Sequence, residues 1–101
     1  MSKESGFTIY KVTQLADEAP ISVTTSATAY TMPVGIGYIY FQNSGTTPVW
    51  LGGASIDADT KRGVEILPKA MFGFENILES CKIYFQCTTA ASTGTISLIK
   101  G

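Results

Sequence analysis

Carboxylates, thiols and phenols are the groups in this sequence whose spacing could do chemistry. Asp57 and Asp59 could offer two oxygens to a hard cation. A calcium site needs about six to eight oxygens held by a loop of defined geometry, and the stretch Ile56-Asp57-Ala58-Asp59-Thr60-Lys61-Arg62-Gly63 supplies no such set. Cys81 and Cys87 lack the close spacing of a zinc knuckle and have no second pair. There is no histidine, which removes the commonest general base, the serine triad and most zinc sites together. A glycosidase pair could be drawn from the 8 carboxylates, but 101 residues leave little room for a substrate cleft. Gly52-Gly53 runs into Ala54-Ser55-Ile56, not into a basic helix start, so it carries no phosphate-loop grammar. The expectation is a protein that is not an enzyme and uses no metal and no cofactor.

The phenols are the more informative set. Tyr38, Tyr40 and Tyr84 are flanked by Gln42, Lys82 and Gln86. Such a face could stack bases or sugars, or it could lie under a second sheet or a neighbouring subunit with its hydroxyls paired. Only 7 basic residues balance 8 acidic ones, which gives no steering toward nucleic acid or an acidic membrane. A protein interface is therefore the favoured reading, with Tyr38, Tyr40 and Tyr84 as one contact face and Phe7, Ile9 and Tyr10 of the first strand as further candidates. Trp50 reads as a core anchor. A sugar-binding module would use the same tyrosines together with the loop from Asp57 to Gly63. A single-strand nucleic-acid binder on an oligonucleotide-binding barrel is the third reading, and the scarcity of cations speaks against it.

The elements that must position these residues are strands. Charged residues are 15% and hydrophobic ones 45%, so the surface is rich in Ser, Thr, Gly and apolar atoms and suits packing against protein. Tyr38-Ile39-Tyr40-Phe41-Gln42 alternates its faces, Asn43-Ser44-Gly45 tolerates positive φ, and Val49-Trp50-Leu51 resumes an extended run, which reads as a hairpin. Ile83-Tyr84-Phe85-Gln86 repeats Ile39-Tyr40-Phe41-Gln42 letter for letter, so Lys82 to Ile99 reads as a second hairpin beside it. Ile21 to Met32 is β-branched and gives one or two strands. Ile56 to Val64 reads as an exposed loop, Pro68-Lys69 as a turn, and Ala70 to Phe74 as a short strand with Phe72 and Phe74 on one face. Strands at this spacing predict an all-β fold, a small antiparallel β-sandwich or jelly-roll-like barrel, with residues 1–20 as an extended arm or first strand and residues 21–101 as one domain.

Two further expectations follow. If Cys81 to Cys87 is one extended strand, the thiols lie roughly 20 Å apart, too far for a bridge, and both are reduced residues on the face of Ile83 and Phe85. The amino terminus has no apolar leader and no apolar run could span a bilayer, which predicts synthesis in the cytoplasm.

A resemblance enters here. The run Tyr40-Phe41-Gln42-Asn43-Ser44-Gly45-Thr46-Thr47-Pro48-Val49-Trp50-Leu51-Gly52-Gly53, then Gly63-Val64-Glu65-Ile66-Leu67-Pro68 and Phe72-Gly73-Phe74, resembles small all-β accessory proteins of tailed-phage virions. It covers roughly residues 36–101 and its motifs are structural turns without catalytic content. What it implies is a virion component made in the host cytoplasm: a capsid decoration (cement) protein, or a head-fibre, neck or tail accessory protein. The implied partner is the major capsid protein or another virion protein, met through many copies of a homo-oligomer, a trimer by preference, with no nucleic acid and no membrane.

Overall fold

A computed structural model describes residues 16–101. Nine strands are formed among the described residues: β1 (Ala16–Asp17), β2 (Ile21–Val23), β3 (Thr28–Thr31), β4 (Tyr38–Asn43), β5 (Val49–Gly52), β6 (Val64–Ile66), β7 (Met71–Glu75), β8 (Lys82–Gln86) and β9 (Gly94–Lys100). All pairings are antiparallel. One sheet runs β2-β9-β4-β7, with β1 continuing the β2 edge along β9; the other runs β3-β8-β5-β6. From β2 onward only the β5–β6 connection stays within a sheet, and every other one crosses to the opposite layer. Eight strands wound in this way form a double-sheet jelly roll. The all-β sandwich expected from the strand spacing is what the chain adopts.

The same topology corrects both expected hairpins. β4 and β5 lie in opposite sheets, and so do β8 and β9; the turns at residues 44–48 and 87–93 are corners between layers. The two corners interlock instead, since β4 pairs with β9 and β5 pairs with β8. Alternation and turn residues specify that the chain reverses, but the inward residues decide where it goes. Phe41 and Ile39 on β4 and Val49 on β5 all need cover, and they find it by facing each other across the interior.

That interior is one cluster of Val23, Met32, Ile39, Phe41, Val49, Ile77, Phe85, Cys87, Ile96 and Leu98. Phe41 stacks on Phe72 with centroids 5.0 Å apart and meets Tyr30 edge-on at 5.7 Å. Asn43 is the buried polar residue among them, and it is fully satisfied. Its Nδ2 donates to the Thr47 and Ile66 carbonyls, each at 2.9 Å, and its Oδ1 accepts from the Gly45 N–H at 3.1 Å. It thereby ties the β4–β5 corner to the end of β6.

Candidate functional site

Two outer sheet faces remain once the interior is filled, and they differ. On the β3-β8-β5-β6 sheet, Trp50, Tyr84 and Gln86 point outward, because they alternate with the inward Val49, Leu51, Phe85 and Cys87. The long β5–β6 connection folds back over them. Ile56 and Ala58 are buried against Trp50, with Tyr84 packed alongside. A short 3-10 turn at Ala58–Thr60 holds the geometry, and its N–H and carboxylate groups find fixed partners. The Ala58 N–H donates to Gln86 Oε1 at 2.7 Å, while Gln86 Nε2 donates to the Thr25 carbonyl at 2.9 Å. Asp59 accepts from the Thr89 N–H at 2.9 Å and from the Thr89 hydroxyl at 2.7 Å, and these bonds hold its carboxyl below the ordinary value.

The stretch from Ile56 to Val64, expected as an exposed loop, is therefore in part a cover: Ile56 and Ala58 are core-like while Thr60 to Val64 remain exposed. Trp50 is an anchor, as expected, but of this outer cluster and not of the central core. Its indole N–H is buried and has no hydrogen-bond partner among the described residues. Asp59 is engaged by Thr89, and among the described residues no group of three or more potential ligands stands together to hold a metal.

The outer face of the β2-β9-β4-β7 sheet has no such cover among the described residues. Tyr38, Tyr40 and Gln42 of β4 stand beside Met71, Gly73 and Glu75 of β7 and Ser97 and Ile99 of β9. Tyr40 lies across Gly73: a Cβ built there would meet the ring at 2.1 Å, so only glycine admits this ring. The Tyr40 hydroxyl donates to Glu75 Oε2 at 2.8 Å, and that bond, with a smaller contribution from burial, pushes the phenol up. Ser44 and Ser97 exchange a hydroxyl hydrogen bond of 2.7 Å. A shallow groove of about 170 Å³ opens between Tyr40, Gln42, Met71, Ser97 and Ile99. Tyr38, by contrast, is only 6% exposed, packed against Gly101 and against the Tyr40 ring at 5.3 Å.

The expected single face of Tyr38, Tyr40 and Tyr84 therefore does not exist. β4 and β8 belong to different sheets, so Tyr40 and Tyr84 look out from opposite sides of the sandwich, and Tyr84 is under the Ile56/Ala58 cover. The physical reason is the corner geometry: a tetrapeptide repeated in two strands keeps the same face inward, and facing sheets turn their outer faces apart. Phe7, Ile9 and Tyr10 lie outside the described residues. Cys87 is buried as expected, whereas Cys81 precedes β8 and is exposed, and both thiols are free.

No local sequence signal marks the feature that separates the two flanks of the sandwich. At the β2/β3 flank Glu18 pairs with Lys100 and accepts a hydrogen bond from Tyr30 at 3.4 Å, so one carboxylate bridges both sheets. At the β6/β7 flank stand the exposed Val64, Leu67, Met71 and Phe74. No protein family, no curated protein and no solved structure matches this chain.

Proposed function

We propose that this chain is a non-enzymatic structural protein of a virus particle, a capsid decoration protein that stabilises the shell by binding its outer lattice in many copies. The observation that carries the reading is the one-sidedness of the sandwich. One outer face is covered around Trp50 by the chain's own β5–β6 connection, and the other presents Tyr40, Gln42, Met71 and Ile99 around a shallow groove with little charge. A body built this way sits on a larger protein surface through one face, and repetition over a lattice multiplies a modest contact. The turn phrases shared with phage accessory proteins support the same reading. The sugar-binding alternative has less support, because a stacking platform needs several open rings side by side, and Tyr38 is buried while the partly buried Tyr84 lies on the opposite face from Tyr40.

The test is co-sedimentation of the purified chain with capsid shells that lack it. Saturable binding that weakens when Ile99 is changed to Asp supports the proposal. A chain that stays in the supernatant at every concentration refutes decoration and directs attention to neck or tail assemblies.

A further inference from the structure

Among the described residues the sandwich has four strand edges, and three are blunted. The β1/β2 edge is broken at Pro20 beside Asp17 and Glu18; β3 is four residues long and is followed by Pro33; β6 is three residues long, carries Glu65 and is closed by Pro68. Breaks, brevity, prolines and charges of this kind keep edges from pairing with other chains. β7 has none of them except Glu75 at its end, and it is five residues long.

Its free groups can be assigned. The Asn43 N–H donates to the Ala70 carbonyl at 3.0 Å and the Asn76 N–H to the Gly37 carbonyl at 2.9 Å, both in the register of the β4–β7 pair. Alternate residues therefore turn their main-chain groups toward β4, namely Ala70, Phe72, Phe74 and Asn76. Met71, Gly73 and Glu75 turn theirs outward, and among the described residues no strand receives them.

We infer that β7 is a self-pairing edge, on which a second copy of this chain docks antiparallel with the two-fold axis through Gly73. That register places Met71 opposite Glu75 of the second copy and Gly73 opposite its counterpart, so all three outward residues of each strand exchange their hydrogen bonds. Phe72 then faces Phe74 of the second copy on the inner side, in the closer, non-bonded kind of pair where aromatic side chains touch. Lys69 stands in the turn before β7, at φ 71°, and the antiparallel arrangement brings that turn to the Glu75 end of the second copy's strand, so opposite charges approach twice, whereas a parallel one sets like beside like. The flank fits a protein partner. Val64 is 62% exposed, Leu67 56% and Met71 66%, and these side chains, with Phe74, border the strand to be paired. A five-residue edge is short against a standard interface of roughly 800 Å² per partner, so the association is reversible and concentration-dependent. The inference does not rest on the virion reading and needs no shell, although Met71 borders both the groove and this edge.

Sedimentation equilibrium on the full chain tests it, with Met71→Pro as the first variant. The Met71 N–H points away from β4, so proline there removes an edge donor and leaves the intramolecular ladder intact. The expected result is a monomer–dimer equilibrium in the native chain that Met71→Pro weakens by at least about tenfold while circular dichroism stays native. Lys69→Glu should also weaken dimerisation, and combining it with Glu75→Lys should restore it, which tests the register even if the proline variant fails to fold. A native chain that stays monomeric overturns the inference. So does a dimer indifferent to Met71→Pro, or a charge reversal that the paired exchange does not rescue; either result assigns the contact to another surface or to the amino-terminal stretch.

Discussion

Phe41 and Phe85 meet across the interior with ring centroids 5.8 Å apart, each the third residue of an Ile-Tyr-Phe-Gln strand in opposite sheets. A shift of 44 residues carries the register of β3 on β8 onto that of β7 on β4: Ala29 opposite Tyr84 becomes Gly73 opposite Tyr40. The bond from the Met32 N–H to the Cys81 carbonyl likewise becomes that from Asn76 to Gly37. Strands β2–β5 and β6–β9 are thus two runs of one topology related by an approximate two-fold axis, and these two rings are equivalent residues under it.

Replacing either ring should cost the fold heavily. Phe41→Ala and Phe85→Ala are each expected to lose about 3–5 kcal/mol, a large share of the roughly 5–15 kcal/mol that holds a domain together. Because the rings touch, the double variant should lose less or more than the sum, and urea denaturation of the four chains reads the coupling.

Asn43 provides a second test. It is completely buried and its amide donates to two main-chain carbonyls, so Asn43→Leu should destabilise by about 2–4 kcal/mol despite the greater apolar volume. Cys87 occupies the equivalent place, with its thiol donating weakly to the Val23 carbonyl at 3.7 Å, and Cys87→Ala should cost about 1–2 kcal/mol. Chemical denaturation with Trp50 emission as the probe separates the two values.

The two thiols should differ in reactivity. Cys81 is exposed and should be modified by a thiol reagent in the native protein. Cys87 is buried, and burial pushes its thiol up, away from the reactive thiolate. One equivalent of fast modification followed by a second only on unfolding is the expected titration; two fast equivalents would mean that the corner near Val23 opens readily.

Acid should release the cover over Trp50 before it unfolds the sandwich. The Thr89 N–H and hydroxyl hold the Asp59 carboxyl below its ordinary value of 3.8, so the tether is complete above that pH and is lost as pH falls through the lower folded value. Trp50 emission should shift in a step on the acid side of pH 3.8, and Asp59→Asn should abolish the step while leaving the sheet signal in circular dichroism unchanged.

The sequence made the strands legible but not their partners. Alternation along β4, the residues of β7 and the turns at Pro33, Gly35 and Pro68 were readable, because each is a local property of side-chain direction and permitted φ. The observed pairing departs from the expected hairpins because a reversing chain looks the same whether it returns to its own sheet or crosses to the facing one; that choice is made by distant residues such as Phe85 beside Leu51 and Leu98 beside Phe41. The tyrosine face failed for the same reason, since one repeated tetrapeptide sits in each sheet. Nothing local in Ile56-Asp57-Ala58-Asp59 marks it as a cover, because its receptors Trp50, Tyr84 and Gln86 come from two other strands. The apolar β6/β7 flank was visible only as ordinary strand residues until its neighbours were known to leave it bare.

Each sheet takes two strands from each topological run, β4 and β2 beside β9 and β7 in one and β3 and β5 beside β8 and β6 in the other. Neither run can then assemble a sheet of its own, and nearly every stabilising pair waits for the late chain to arrive. The protein should behave as one indivisible folding unit whose two fragments, cut in the exposed part of the β5–β6 connection, are unstructured alone and regain the fold by complementing one another when mixed.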